Sequence, residues 1–73
     1  MNHDYIVRMA NQIGDALGIN PDREQAVRDL ADHLTRFWEP RMRKALFEAL
    51  DGSAGRQLSP LVLAATARMK RPA

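Results

Sequence analysis

The stretch HLTRFWEPRMRKALFEAL (residues 33–50) contains the end of one predicted helix, a turn and the next helix. Pro40 ends the first of these helices, because the residue before a proline avoids the helical region of the backbone. The same proline can begin the following helix, where a missing N–H is tolerated, and that helix is predicted to end near Leu50. The turn also holds the chain's only tryptophan, Trp38, among several cations, so the stretch bears on function as well as on fold.

Apolar residues recur at helical spacing in the rest of the chain, and no segment alternates as a strand would. The first helix is predicted over about residues 4–17. The second begins with Asn20 as its N-cap and Pro21 at its first helical position. The last begins at Ser59–Pro60 by the same signal. These segments predict an all-α fold.

The expected architecture is a small single domain of three to four helices spanning residues 1–73. The segment DGSAG makes residues 51–57 a predicted flexible loop, because Gly and Ser interrupt regular structure. Residues 70–73, KRPA, are predicted to be a frayed basic tail. The last helix, PLVLAATARM, is apolar almost all round, so we expect a second covering surface, supplied by another chain.

Each of the first three predicted helices has an apolar stripe that we expect in the core. Gly14 interrupts the first stripe, either to allow another helix to approach closely or without a purpose. At the end of the second helix, Phe37 is expected to point inward and Trp38 partly outward. The other stripe residues are Ile6, Met9, Ala10, Ile13, Leu17, Ala26, Val27, Leu30, Leu34, Met42, Leu46, Ala49 and Leu50.

The composition argues against several classes of protein. With no cysteine among 73 residues, the chain has neither a disulfide framework nor a cysteine-based zinc cluster. Its 11 Lys and Arg are interleaved with 9 Asp and Glu, whereas nucleic-acid binders usually carry a separate basic stripe, so we expect no nucleic-acid partner. No apolar run approaches the ~20 residues of a membrane span, and MNHDYIVRM lacks the apolar segment of a signal peptide. We therefore expect a cytoplasmic protein with no membrane partner.

No pattern in the chain predicts catalysis. The four glycines stand singly, so there is no phosphate-binding loop. The only serines, Ser53 and Ser59, lie in a predicted loop and at a helix cap. His33 follows Asp29 by four residues and is interpreted as a half-buried histidine held by that carboxylate, because structural zinc needs four ligands. We predict no catalytic residue, no metal site and no cofactor in this chain.

The segment FWEPRMRK has the composition of an interface hot spot. Arg43 falls on the apolar side of its helix, whereas Arg41 and Lys44 fall on the polar face. Two interpretations stay open: Trp38 and Arg43 contact a partner, or Trp38 closes the core while Arg43 extends its charged head to water. The three cations could instead bind phosphate groups, although acidic residues lie close to them.

Two segments resemble a known family. RMANQI (residues 8–13) and HLTRFWEPRMRKAL (residues 33–46) are similar to the delta subunit of NAD-dependent, molybdenum- or tungsten-containing formate dehydrogenases. That family shares an early R-M-A-N-Q-I segment and a later F-W-[DE]-P-R-M-R segment. The resemblance extends from about Tyr5 to Leu50, and the last helix matches only loosely.

The resemblance implies a non-catalytic accessory subunit that supports assembly, stability or metal-cofactor maturation. Formate oxidation would take place at a metal–pterin centre of the catalytic alpha subunit, the expected partner, and self-association is expected when the chain is alone. A small helical nucleic-acid-binding protein and a free-standing helical homodimer stay as alternatives. The residues implied in partner binding are the corner Trp38, Pro40, Arg41, Met42 and Arg43, extended by Arg8, Asn11 and Gln12 of the first helix.

Overall fold

Four α-helices and a short 3-10 helix make up the protein in the computed structural model, which describes residues 2–72. Helix α1 spans His3–Leu17, α2 spans Arg23–Phe37, α3 spans Pro40–Asp51 and α4 spans Pro60–Arg68. The 3-10 helix, Ser53–Gln57, joins α3 to α4. No strand occurs in residues 2–72, and the predicted all-α fold is confirmed.

The start of α2 differs from the prediction by two residues. Asp22, not Asn20, is the N-cap, since its side chain accepts a hydrogen bond from the Gln25 backbone N–H at 3.1 Å. The Asn20 side chain accepts from the Asp22 N–H at 2.9 Å and shapes the turn before the helix. Pro21 therefore lies in that turn, because a side chain that bonds two residues onward favours a turn over a helix.

The predicted starts of α3 and α4 are confirmed. Pro40 is the first residue of α3, and Glu39 before it is extended at φ −61° and ψ 154°, as the residue preceding a proline should be. Pro60 likewise begins α4, and the Ser59 hydroxyl caps the helix by accepting from the Val62 N–H at 3.3 Å.

Helices α2 and α4 run in the same direction along each other. Their starts, at Arg23 and Pro60, line one cleft, and the end of α2 lies beside the segment that follows α4. Helix α1 packs against α3, and its first turn meets the end of α3, where His3 Nε2 lies 3.6 Å from a carboxylate oxygen of Glu48.

Three helices meet at Gly14. A Cβ atom on this residue would lie 3.2 Å from Val62 Cγ2 of α4 and 3.5 Å from Leu30 Cδ2 of α2. Val62 and Leu30 are fully buried, so α4 and α2 both pack closely against α1 at this residue. Of the two interpretations of this glycine, the close helix approach is the one that the structure shows.

The core contains most of the predicted stripe, with some additions. Met9, Ile13, Leu17, Met42 and Leu50 are only partly buried and pack at its margin. Val7 and Trp38 are buried although the stripes did not include them. The buried core residues are Ile6, Val7, Ala10, Ala26, Val27, Leu30, Ala31, Leu34, Trp38, Ala45, Leu46, Ala49, Leu58, Leu61, Val62 and Ala65.

The two segments predicted to be flexible have defined contacts. Asp51 belongs to α3, and Ser53–Gln57 of the predicted loop form the 3-10 helix. In the predicted tail, Arg71 makes an ion pair with Asp51 and lies over the Phe47 ring, 5.0 Å from its centroid. Ala73 lies outside the described residues, and the mobility of both segments stays a prediction.

Candidate docking surface

At the end of α2, one of two adjacent aromatic residues is buried and the other is exposed. Trp38 is 5% exposed and part of the core, whereas Phe37 is 72% exposed. The predicted orientations, Phe37 inward and Trp38 partly outward, were therefore wrong, whereas the interpretation in which Trp38 closes the core is confirmed. The Trp38 N–H still bonds to the Leu34 carbonyl oxygen at 3.3 Å, so Trp38 continues the face of α2 that carries the buried Ala31 and Leu34. Phe37 lies in the last turn of α2 and follows the half-buried His33 by four residues.

Arg43 ties the start of α3 to the end of α2. Its Nη1 donates hydrogen bonds to the carbonyl oxygens of Thr35, at 2.9 Å, and of Trp38, at 2.5 Å. Carbonyl groups in the last turn of a helix lack a partner within the helix, and positive charge is favoured there. The half-buried Arg43 therefore stabilises the corner, a role that neither sequence interpretation contained.

Phe37, Glu39, Pro40 and Arg41 form the exposed part of the corner. Met42, the next residue, is partly buried against the core. The Phe37 ring stacks on His33 with centroids 4.9 Å apart and ring planes inclined by 45°.

The interpretation of His33 as held by Asp29 was wrong. One carboxylate oxygen of Asp29 instead accepts a hydrogen bond from Gln25 Nε2 at 2.8 Å. The half-buried His33 has the Phe37 ring as its neighbour, so the pair forms a small aromatic patch beside the corner.

Asn11 of α1 holds the chain between the 3-10 helix and α4. Its Nδ2 donates to the Gln57 carbonyl oxygen at 2.8 Å, and its Oδ1 accepts from the Ser59 N–H at 2.9 Å. The NH2 group and the carbonyl oxygen of this side chain thus both have hydrogen-bond partners within the chain. Arg8 and Gln12 are exposed and line a shallow cleft beside Asn11.

The ion pairs are all at the surface. On α2, residues four positions apart form two pairs: Glu24–Arg28, with N and O atoms 3.9 Å apart, and Asp32–Arg36, at 3.2 Å. Exposed pairs of this kind contribute about 0–1 kcal/mol each. Arg41 forms no ion pair within residues 2–72 and is free to meet an external group.

The described residues contain neither a cluster of metal-binding side chains nor a helix that could span a membrane. In residues 2–72, no three His, Cys, Asp or Glu side chains lie close enough together to hold a metal ion. Over the same residues, no helix combines the length and apolarity needed to cross a membrane.

Sequence reasoning proposed eight partner-binding residues, and the structure separates them into two groups. Trp38 and Met42 pack in or against the core, and Arg43 and Asn11 bond to backbone atoms of this chain. Their contact with a partner stays a prediction. Sequence reasoning missed Phe37 as an exposed residue, because the spacing of apolar residues in α2 includes Phe37 in the inward stripe. The four residues on the surface are Pro40, Arg41, Arg8 and Gln12.

A comparison with protein-family models supports the resemblance. The model described as "NADH-dependant formate dehydrogenase delta subunit FdsD" matches residues 5–66. The matched region contains both RMANQI and FWEPRMR, and also the last helix to Thr66. Neither the curated proteins nor the solved structures gave a match.

Proposed function

Because this chain belongs to the delta-subunit family of NADH-dependent formate dehydrogenases, we propose that it is a non-catalytic accessory subunit that docks on a larger subunit of such a complex. The catalytic alpha subunit is the proposed partner, in the cytoplasm. Docking would serve assembly, stability or maturation of the metal cofactor that the alpha subunit holds. In this proposal the chain contributes a binding surface and no redox centre.

One observation carries the docking proposal: the 72% exposure of Phe37 on a corner that is fixed from within the chain. An exposed phenyl ring that a partner covers adds about 1.5–3 kcal/mol of favourable burial. Aromatic residues are enriched at the centres of protein interfaces. Trp38 in the core and the bonds of Arg43 hold the corner in one geometry, so little ordering is needed when a partner binds.

The polar neighbours of Phe37 add specificity to the proposed contact. Arg41 is exposed and has no ion-pair partner in the described part of the chain. Arginine and aromatic side chains are the residue types that most often dominate binding energy at interfaces. Arg8 and Gln12, exposed on α1, are proposed as a second contact. Asn11 would support them by fixing α1 to the start of α4.

The proposal is tested by measuring how the full chain binds the purified catalytic subunit. Phe37→Ala should weaken binding by about 2 kcal/mol, about 30-fold in Kd. Ile19→Ala is the matched control, because Ile19 is 82% exposed and lines the cleft at the opposite end of α2. Equal Kd values for the two variants would contradict docking through this corner, and no binding by the wild-type chain would contradict the accessory role.

One observation favours the alternative of a homodimer. Leu63 on α4 is 40% exposed, as expected if the apolar helix has a second covering surface. Sedimentation of the isolated chain across a hundredfold concentration range distinguishes the cases. A dimer that Leu63→Glu abolishes, combined with no affinity for the catalytic subunit, would favour a free-standing homodimer over the accessory role.

A further inference from the structure

A cleft of about 430 Å³ separates the corner from the segment that follows α4. One wall comes from the end of α2 and the start of α3, and the other comes from the three residues 70–72. Pro40 belongs both to this cleft and to the proposed docking corner, so the two surfaces are continuous. The residues that line the cleft are Thr35, Pro40, Arg43, Lys70, Arg71 and Pro72.

The cleft is positively charged. Half of its lining residues are cations, and none of the described lining residues is acidic. Asp51 offsets the charge of Arg71, with which it forms an ion pair. The Arg43 guanidinium bonds only to uncharged carbonyl groups, which leave its charge in place, and Lys70 forms no ion pair within the described chain.

The outer wall of the cleft is held in place by α3. The Arg71 guanidinium lies over the Phe47 ring and pairs with Asp51, so two residues of α3 fix it. Phe47 is 5% exposed although it lies outside the main core cluster. A cation over an aromatic face is attracted by the negative charge density of the ring. The cleft therefore has both walls before any partner is bound.

The lining favours protein carboxylates over phosphate groups. Phosphate sites are usually built from successive backbone N–H groups, often on glycine-rich turns. Here Pro40 and Pro72 form part of the wall, and proline has no backbone N–H to donate. A cleft with apolar walls and separate cationic groups suits an acidic peptide. The Asp or Glu carboxylates of such a peptide can meet the cations, and its apolar atoms can pack against the walls.

We propose that this cleft binds an acidic segment of the larger subunit, whose Asp or Glu carboxylates meet Lys70 and Arg43. The inference rests on the proposed accessory function and adds the chemistry of the partner. It places an electrostatic contact next to the apolar contact of Phe37. Such an arrangement steers association and fixes the orientation of docking.

The experiment compares two charge reversals in the full chain by titration against the purified catalytic subunit. Lys70→Glu should raise Kd about tenfold or more at an ionic strength of about 0.1 M, since reversing one charge of a complementary pair creates repulsion. The effect should shrink at about 1 M salt, where screening is strong. Lys70→Gln should give an intermediate Kd. Arg56→Glu is the control, because Arg56 is an exposed cation outside the cleft.

The outcomes separate this inference from the function on which it rests. If Lys70→Glu and Arg56→Glu bind alike, the acidic-segment inference fails while the accessory function stands. If the wild-type chain does not bind the catalytic subunit, both fail. A separate titration of the isolated chain with inorganic pyrophosphate should show no saturable binding. Binding that Lys70→Glu abolishes would instead make the cleft a phosphate site and overturn the inference.

Discussion

Replacement of Arg43 by Met tests whether this residue stabilises the corner from within. The variant keeps an unbranched apolar stem, and it removes the charge and both hydrogen bonds to the carbonyl oxygens of Thr35 and Trp38. We expect a clear loss of stability in the isolated protein, because both bonds join the end of α2 to α3.

The expected magnitude follows from the two bonds and their exposure. Hydrogen bonds from a charged group contribute about 1.5–3 kcal/mol when well shielded. The bond to the Trp38 oxygen is partly buried and that to the Thr35 oxygen is exposed, so water can replace the second at little cost. Adding about 0.3–1 kcal/mol for positive charge at a helix C-terminus, we expect Arg43→Met to lower the free energy of unfolding by about 2 kcal/mol.

Urea unfolding followed by circular dichroism measures this loss directly. For a domain of this size, each kcal/mol corresponds to about 4–8 °C in melting temperature. Arg41→Met is the matched control, since Arg41 is exposed two residues away and its side chain forms no ion pair among residues 2–72. If the two variants had the same stability, the stabilising role of Arg43 would be refuted. If Arg43→Met lost binding to the catalytic subunit but kept its stability, the interpretation that Arg43 contacts a partner would be favoured instead.

Two further predictions concern the packing of the corner and of α1. Asn11→Asp should lower the free energy of unfolding by about 1–2 kcal/mol, because the carboxylate still accepts from the Ser59 N–H but cannot donate to the Gln57 oxygen. A melting temperature equal to that of the exposed control Gln12→Glu would refute this prediction. Trp38→Ala should cost about 3–5 kcal/mol in urea unfolding, as expected for a core aromatic, and wild-type stability would show that Trp38 does not support the core.

In a chain of only 73 residues, the corner leaves one aromatic ring exposed while its neighbour fills the core. The larger ring, Trp38, fills the core, and the adjacent Phe37 is left outside. In a domain this small, a core alone rarely supplies more than about 3–5 kcal/mol. Backbone bonds made by Arg43 and Asn11 therefore matter for stability.

Local sequence was sufficient to predict the helices and most of their ends. Pro40 and Pro60 mark helix starts because their rings restrict the backbone regardless of tertiary contacts. Apolar spacing placed Leu30, Leu34 and Leu46 in the core, because a helix of known period turns the same face inward along its length. The family resemblance depended on the order and spacing of two segments, which are also properties of sequence alone.

Tertiary structure alone decided the direction of Phe37 and Trp38 and the partners of the polar residues. On a helical wheel Phe37 and Trp38 lie on either side of Leu34, and only the packed core shows that the Trp38 side is buried while the Phe37 side is exposed. The two hydrogen bonds of Asn11 reach partners that are 46 and 48 positions away in the sequence. Local periodicity carries no information at such a separation. The Arg43 bonds depend on the angle between two helices, and that angle is set only when the core has packed.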